Sequence, residues 1–455
     1  MSIIANQDFS GKGKACVDMN TNIKPPLFLR AIRSVLFKIV AAVHALAVRT
    51  NYSIVQRRIR KCASRKTINV LFMVNETTKW KAQSLYDLME ADAKYNPIMG
   101  ITVADTDRNL SDVEQQNKMD RVAAFFEGKG MRTVRLYDAR TKTVVNLGSL
   151  DVDVVFYQQP YVILNEHQPQ IVSYSALTCY IPYYVPDYGS RHFDYEFEFY
   201  KNVWRYFILN KRFARAYHRF GWLEGYAGKI LGLGHTCLDY YHLHGNAFSD
   251  ENIVIYAPHW AFAHPKNENL ENYSTFLWNG EAILEYAKNH REFKWVFRPH
   301  PALSMVLQRS VVWSDEKIAA YWREWATIGT VSKDDDYQEL FMKSKALITD
   351  CGSFLTEYFA TGKPLIHLIS ANAKIQPISI TKPYFDSWYK VHDLEEMAKV
   401  FETVLERGED PMREERLAVL QRAGLADHYA AEKIVKYLNK EFGVLDCAGE
   451  TKDQI

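Results

Sequence analysis

The sequence predicts an α/β protein in which two doubly wound, Rossmann-type domains face each other across a cleft and follow a basic N-terminal helical segment. Two patterns support this prediction. β-rich runs alternate with helical patterns from Thr67 onward, which is typical of a parallel sheet with helices on both faces. A polar, Gly- and His-rich stretch at Tyr241–Glu251 divides the alternation into two series and is interpreted as a linker. The 455 residues are enough for two or three domains.

The first series contains six expected strands and four expected helices. The strands are Ile68–Val74, Pro97–Ala104, Met131–Leu136, Val152–Tyr157, Cys179–Val185 and Lys229–Gly234. The helices are Lys79–Lys94, Val113–Gly128, Gln168–Ala176 and one long helix over Glu198–Phe220.

The second series has strands at Asn252–Ala257, Phe293–Arg298 and Ala346–Thr349. Its helices are expected at Phe276–His290, Asp315–Ala326, Tyr337–Lys343, Phe354–Thr361, Leu394–Arg407, Met412–Ala423 and Ala426–Phe442. Gly362 is a natural C-terminal stop for the helix before it. The predicted domains are therefore 1–66 (basic segment), 67–245 (N-terminal Rossmann-like domain), 246–425 (C-terminal Rossmann-like domain) and 426–455 (C-terminal helix and tail).

Composition excludes several classes of protein. The net charge of +2 argues against a general nucleic-acid binder, and the hydrophobic fraction of 47% is that of a soluble globular protein. The six cysteines are scattered without a Cys-x-x-Cys pair, which argues against a zinc knuckle or a disulfide framework and for a reducing compartment. No metal and no cofactor are expected.

The N-terminal segment is strongly basic. Between Asn20 and Asn75 the chain has eleven lysines and arginines and no acidic residue. Within it, Ser34–Val48 is apolar except for Ser34, Lys38 and His44, which is too short to span a bilayer. A basic helix with an apolar face indicates attachment to an anionic membrane surface. The localisation expected is thus cytoplasmic and peripheral, on the inner face of the cell membrane; the alternative is a basic helix that packs on the body of the protein.

Polar residues follow three strands of the second series. They are His259 after the first strand, Arg298 and His300 after the second, and Asp350-Cys-Gly-Ser353 after the later one. Ligands of open α/β sheets bind beyond the carboxyl ends of the strands. An arginine, two histidines and a helix N-terminus at one edge predict an anion site for phosphate oxygens.

The turn Asp350-Cys-Gly-Ser353 is the centre of this predicted site. Gly352 allows close backbone approach, and the Ser353 hydroxyl adds a donor to the free amides of the helix N-terminus. Glu357, one turn further on, is placed to accept from ribose hydroxyls. Taken alone the turn is equally compatible with an ordinary helix cap. The acidic run Asp334–Asp336 is interpreted as a solvated loop and not as a metal site.

These motifs together resemble the CDP-glycerol glycerophosphotransferase family, peripheral membrane enzymes that build teichoic-acid and capsule polymers. The matching runs are Tyr256-Ala-Pro-His-Trp260, Arg298-Pro-His-Pro301, Ala346-Leu-Ile-Thr-Asp-Cys-Gly-Ser353 and Thr361-Gly-Lys-Pro364. The resemblance extends from about Lys229 to Leu368. The family's His-Gly-Thr-Pro motif has no match, and Cys351-Gly352 stands where the family has Tyr-Ser, which brings the turn closer to the Asp-Ser-Gly-Gly turn of UDP-N-acetylglucosamine 2-epimerases.

The resemblance implies a GT-B fold and transfer from CDP-glycerol to a hydroxyl of a glycopolymer or lipid-linked acceptor. The donor-binding residues are then Arg298, His259, Asp350, Gly352, Ser353 and Glu357, and the catalytic candidates are His300 and His167. Two alternatives stay open. One is a GT-B glycosyltransferase that uses a UDP- or CMP-sugar, and the other is a non-catalytic GT-B-like binding or scaffold protein.

Overall fold

The computed structural model describes residues 52–185, 197–219, 229–245, 251–263, 272–332, 337–373, 380–425 and 429–444. The chain divides into two units after Ser53, and nearly all described residues belong to the second. The predicted membrane-surface helix Ser34–Val48 and the acidic run Asp334–Asp336 lie outside the described residues.

The first half is built on a parallel sheet of seven strands in the order β3-β2-β1-β6-β7-β8-β9. Its strands are β1 Ile68–Val74, β2 Tyr95–Ile101, β3 Thr133–Arg135, β6 Val154–Tyr157, β7 Leu177–Tyr180, β8 Arg205–Phe207 and β9 Ile230–Leu231. A small antiparallel pair, β4 Tyr137–Asp138 and β5 Thr143–Val144, leaves the sheet after β3. The strand order reverses between β1 and β6.

Helices connect these strands. They cover residues 52–64, Gln83–Ala91, Asp112–Gly128, Pro169–Val172, Phe197–Asn202, Lys211–Arg219 and Thr236–His244, with short 3₁₀ turns at Asp105–Asn109, Leu147–Ser149 and Asn165–His167. Successive side chains of β1 enter opposite cores: Leu71 and Met73 lie in one, and Val70 and Phe72 in the other. Both faces of the sheet are therefore covered, as a doubly wound sheet requires.

The second half repeats the design with six parallel strands in the order β12-β11-β10-β13-β14-β15. Its strands are β10 Ile253–Ala257, β11 Lys294–Phe297, β12 Thr330–Val331, β13 Ser344–Thr349, β14 Leu365–Leu368 and β15 Tyr389–Val391. This is the Rossmann order, and it reverses between β10 and β13. The predicted pair of doubly wound domains is confirmed.

The helices of the second half are Phe276–Asn289, Leu303–Arg309, Asp315–Ile328, Gln338–Lys343, Gly352–Phe359, Lys382–Asp386, Leu394–Phe401, Arg413–Ala423 and Ala430–Phe442, with a π-helical turn at Glu402–Glu406. Gly362 has a φ of +71°, and its amide donates to the carbonyl of Phe359 at 3.0 Å. The predicted glycine stop is thus confirmed.

The C-terminal helix Ala430–Phe442 returns to the first half. Its buried residues Ile434, Leu438 and Phe442 share a core with Phe72 of β1. Asp239 accepts hydrogen bonds from the first amides of this helix, Ala430 at 2.7 Å and Ala431 at 2.9 Å. The chain end therefore links the second half to the first.

Two predicted elements are wrong. The long helix over Glu198–Phe220 is two helices separated by β8, whose residues Tyr206 and Phe207 are buried between β7 and β9. The linker Tyr241–Glu251 begins inside the helix Thr236–His244, where Tyr241 is buried. In both places tertiary burial decides the structure, since short aromatic runs have no clear period.

The basic segment ends in a helix, residues 52–64, that packs on the first half. Cys62 is buried against the core of the sheet. Asp153, whose side chain is fully buried, lies 2.8 Å from Lys61 Nζ and 3.3 Å from Arg65 Nε, and it also accepts from the amide of Asn69 at 3.0 Å. For these residues the packed-helix alternative is the one the structure favours.

Candidate functional site

The carboxyl ends of β10, β11 and β13 bring four predicted residues to one edge of the second sheet. His259 follows β10, Arg298 and His300 follow β11, and Asp350 follows β13. The strand ends are held by backbone contacts, since the Arg298 amide donates to Tyr256 at 2.8 Å and the His300 amide to Pro258 at 3.0 Å. The site lies at the point where the strand order reverses, which is where ligands of this fold bind.

His259 and His300 form a pair with 5.4 Å between ring centroids. Nδ1 of His259 accepts from the amide of Ala261 at 3.1 Å, and Nδ1 of His300 accepts from the amide of Ala302 at 3.1 Å. A nitrogen that accepts carries no proton, so each neutral ring carries its proton on Nε2. Burial lowers the pKa of His259 to about 3 and that of His300 to about 4. At neutral pH the pair thus supplies two uncharged N–H donors.

Arg298 supplies the positive charge of this edge. Its guanidinium donates to Ser332 Oγ at 2.9 Å, and its central carbon lies 4.7 Å from the ring centroid of Tyr337 and 5.8 Å from that of Phe354. Stacking on two aromatic rings holds the planar group in one orientation. A fixed guanidinium is suited to bidentate binding of phosphate oxygens.

Asp350 has a structural position inside the site. Both of its carboxylate oxygens are occupied by the amides of His259 and Thr275, and Thr275 Oγ1 also donates at 2.7 Å. The side chain is buried, and burial raises its pKa to about 6. Asp350 fixes the loop that carries His259. Both of its carboxylate oxygens already accept hydrogen bonds within the protein, so the side chain is not placed to bind a substrate directly.

The helix Gly352–Phe359 begins at this edge with an open N-terminus. Its N-cap residue, Cys351, makes no side-chain capping hydrogen bond, and Ser353 is exposed. The Ser353 hydroxyl contacts Cys351 Sγ at 3.3 Å, and burial raises the pKa of that thiol to about 11. The first-turn amides and the positive end of the helix dipole can bind an anion here.

Glu357, expected to accept from ribose, is fully engaged inside the protein. Its carboxylate accepts from Tyr337 at 2.7 Å and from Tyr241 at 3.0 Å, and it lies 3.5 Å from Lys81 Nζ. Lys81 belongs to the first half, and its ammonium also donates to the hydroxyl of Tyr337. Sequence reasoning missed this network, because a lysine after β1 gives no motif that points to a partner 276 positions further on.

His167 is the predicted catalytic residue that the structure does not bring to this edge. It lies in the first half with no exposed surface, and its Nε2 is 3.0 Å from the carbonyl of Val145. Burial also lowers its pKa. A fully enclosed ring cannot take a proton directly from a substrate hydroxyl, so the structure does not support His167 as the base.

Two properties of the described residues bear on membranes and metals. Within the described ranges, no helix is both long and apolar enough to cross a bilayer. In the same part of the chain, no three His, Cys, Asp or Glu side chains are grouped as metal ligands would be.

Comparisons with known proteins agree with the geometry. Residues 242–439 match the family "CDP-Glycerol:Poly(glycerophosphate) glycerophosphotransferase". The predicted resemblance is thus confirmed for this part of the chain, which holds every residue of the strand-end site. A comparison with curated protein sequences finds no significant match.

Solved structures of similar fold cover most of the chain. One is the wall teichoic acid polymerase TagF, with a TM-score of 0.52 and 14% identity over 90% of this chain and 98% of that chain. Another is UDP-GlcNAc 2-epimerase from Neisseria meningitidis bound to UDP-GlcNAc, with a TM-score of 0.52 and 12% identity over 82% of this chain and all of the other. At these identities the comparison establishes the GT-B-like fold.

Proposed function

We propose that this chain, whose residues 242–439 have the glycerophosphotransferase pattern, transfers glycerol phosphate from CDP-glycerol to a hydroxyl of a growing cell-surface polymer of the teichoic-acid type. The observation that carries the proposal is the strand-end site, with Arg298, two neutral histidine donors and an open helix N-terminus inside the matched segment.

The reaction needs positioning and charge stabilisation more than covalent chemistry. The acceptor oxygen attacks the phosphorus that bears the glycerol, the bond from that phosphorus to the bridging oxygen breaks, and CMP leaves with the bonding electrons. The proton of the acceptor hydroxyl is released to water. Arg298 compensates negative charge on the phosphoryl oxygens, and Nε2–H groups of His259 and His300 donate to them. The amides of Gly352 and Ser353 bind the second phosphate of the donor.

Asp350 and Glu357 contribute indirectly in this proposal. Asp350 holds His259 through the amides it accepts. Glu357 fixes Tyr337, on whose ring the Arg298 guanidinium stacks. They are positioning residues of the donor site.

The protein is proposed to work at the inner face of the cell membrane, held there by the basic residues before position 52. Capsular polymer is a further acceptor class that the same chemistry serves. The apolar run Ser34–Val48, which lies in a stretch with basic but no acidic residues, supports attachment to anionic lipid.

The proposal is tested by comparing several nucleotide-activated donors. Purified protein is incubated with CDP-glycerol, a UDP-sugar or a CMP-sugar plus a polyol phosphate acceptor, and nucleotide release is followed. CMP released from CDP-glycerol only when acceptor is present is the expected result. UDP or CMP from a nucleotide sugar indicates a glycosyltransferase, and binding without release indicates a scaffold.

Two site variants connect the activity to the strand-end site. His300→Ala and Ser353→Ala each remove one donor, and each is expected to lower turnover about 10²- to 10³-fold, as for other preorganised donors at a transition state. Arg140→Ala, an exposed arginine of the first half, is the matched control. Unchanged turnover in both site variants contradicts the assignment.

A further inference from the structure

A second polar edge lies at the switch point of the first sheet. Asn75 and Glu76 follow β1, Thr102 follows β2, and Gln158 and Gln159 follow β6. The strand order reverses between β1 and β6, so this edge occupies the same place in the first half that the strand-end site occupies in the second.

Three polar atoms at this edge are buried and have no hydrogen-bond partner among the residues that the structure describes. They are Thr102 Oγ1, Gln158 Nε2 and Gln159 Oε1, and the three side chains are at most 7% exposed. They line one small cavity of about 20 Å³. Buried polar groups are almost always satisfied, so three such atoms around one cavity mark a place where a ligand hydroxyl can complete their hydrogen bonds.

A larger cavity of about 530 Å³ adjoins the small one and shares Asn75, Glu76, Lys79 and Val162 with it. Most charges on its wall are balanced. Lys79 pairs with Glu76 at 2.6 Å, and Lys118 pairs with Asp107 at 2.8 Å.

Arg121 lies on the same wall, and its hydrogen-bond partner within the described part of the chain is a carbonyl of its own helix, that of Asn117, at 3.4 Å. Among the described lining residues the balance is therefore one positive charge. This balance fits a phosphodiester, which carries one negative charge.

The backbone between the two cavities is strained. Val162 has a φ of +51°, a left-handed conformation that a β-branched residue rarely adopts. Its carbonyl accepts from the amide of Asp105 at 2.9 Å, which ties the ends of β6 and β2 together. Strain of this kind is retained where the surrounding structure fixes a binding site.

The edge is also within electrostatic range of the strand-end site. Burial lowers the pKa of His300, and the negative charge of Glu76 partly opposes that effect, so the two side chains are electrostatic neighbours across the halves. A ligand in the two cavities would lie next to the donor phosphates.

We infer that this pair of cavities binds the acceptor as a polyol phosphate, with its terminal hydroxyl at Thr102, Gln158 and Gln159 and its first phosphodiester at Arg121. The inference rests on the proposed function for the identity of the donor, but the binding of the acceptor is separable from it.

The test uses the full chain and compares three acceptor probes: glycerol, sn-glycerol 3-phosphate and a short poly(glycerol phosphate). Arg121→Ala is expected to raise the acceptor KM about tenfold for the phosphorylated probes, as the loss of a charge-assisted hydrogen bond does, and to leave glycerol unaffected. Thr102→Val, which keeps the side-chain shape, is expected to raise the KM for all three. The Kd for CDP-glycerol stays unchanged in both variants, and Arg140→Ala behaves as wild type.

Direct binding of poly(glycerol phosphate), measured by calorimetry without donor, separates this inference from the proposed function. Weaker binding by Arg121→Ala supports the acceptor site even if no nucleotide donor is turned over. Equal acceptor binding and equal KM values in wild type, Arg121→Ala and Thr102→Val overturn it, even if CDP-glycerol is the donor. Because Arg121 is exposed, its variant is expected to fold normally, and the unfolding temperature of Thr102→Val is measured beside it.

Discussion

The Nδ1 atom of His300 accepts from the amide of Ala302, and His259 makes the same contact with the amide of Ala261 at the end of the neighbouring strand. Each contact requires a neutral ring, because a protonated imidazole has no acceptor. The two residues were selected from sequence as phosphate ligands. What the structure adds is the tautomer, which the spacing His-x-Ala in both loops creates and which residue type alone does not reveal.

The pKa of His300 has a consequence for stability. Burial lowers it from 6.5 to about 4 in the folded protein. Between pH 6.5 and 4 the unfolded chain therefore binds a proton that the folded protein excludes, so the free energy of unfolding falls as the pH falls through this window.

We expect His300→Asn, which can still accept from Ala302, to make this fall less steep by up to about 1.4 kcal/mol per pH unit. Urea unfolding at pH 8, 6 and 5 measures the difference between variant and wild type. Identical slopes would show that His300 titrates normally in the folded state. Asp350, whose pKa is raised, acts in the opposite direction but equally in both proteins, so it cancels from the comparison.

At the scale of elements, the bounds of a strand could be predicted where the strand ends in polar residues. β1, β10, β11 and β13 are apolar runs closed by distinctive residues, and all four lie within two residues of the expected bounds. The helix over Glu198–Phe220 failed because β8 is three residues long and depends on β7 and β9 for its hydrogen bonds. A strand of that length has no local signal.

Some residues of the candidate site could also be predicted from the sequence, and others could not. Arg298, His259, His300 and Ser353 could be predicted, because parallel strand ends meet at one edge. The role of Glu357 could not, because its partners Lys81 and Tyr241 come from elements far away in sequence. Contacts between the halves depend on tertiary packing, which the spacing of residues along the sequence does not reveal.

The helix of residues 52–64 gives a prediction for truncation. A chain that begins at Tyr52 keeps Lys61 and Arg65, whereas a chain that begins at Thr67 leaves the buried Asp153 with only the amide of Asn69. Removing the partners of a buried charge costs about 3–5 kcal/mol. We expect the shorter chain to be less stable than the longer one by about that amount.

Unfolding by urea compares the two truncated chains. Asp153→Asn in the shorter chain removes the unpaired charge and should recover part of the loss, which makes it the matched control. Equal stability of the two chains would show that the helix contributes nothing to the fold.

At the scale of the whole molecule, the two halves are joined by a polar network and by the C-terminal helix. Lys81 and Glu357 come from opposite halves, and their side chains are only 7% and 1% exposed. The aromatic side chains of Tyr241 and Tyr337 surround them, and Tyr337 also supports Arg298. The network therefore connects the contact between the halves to the position of Arg298 in the strand-end site.

Removing one charge of the Lys81–Glu357 pair should lower the free energy of unfolding. Lys81→Met leaves a buried carboxylate without its cation, and a loss of about 3–5 kcal/mol in the free energy of unfolding is expected. Glu357→Gln combined with Lys81→Met removes both charges and should recover part of that loss, so the double-mutant cycle gives a non-additive coupling. The exposed pair Lys399 and Glu395 is the control, where Lys399→Met should have little effect.

The same variants separate stability from function. The double variant has no unpaired buried charge and should therefore fold. It should nevertheless bind CDP-glycerol more weakly than wild type, because Tyr337, on which the Arg298 guanidinium stacks, has lost its carboxylate partner. Calorimetric titration of CDP-glycerol into the folded double variant measures this effect. Wild-type affinity in that variant would mean that the network holds the halves together without positioning Arg298, and additive stability losses would mean that Lys81 and Glu357 act independently.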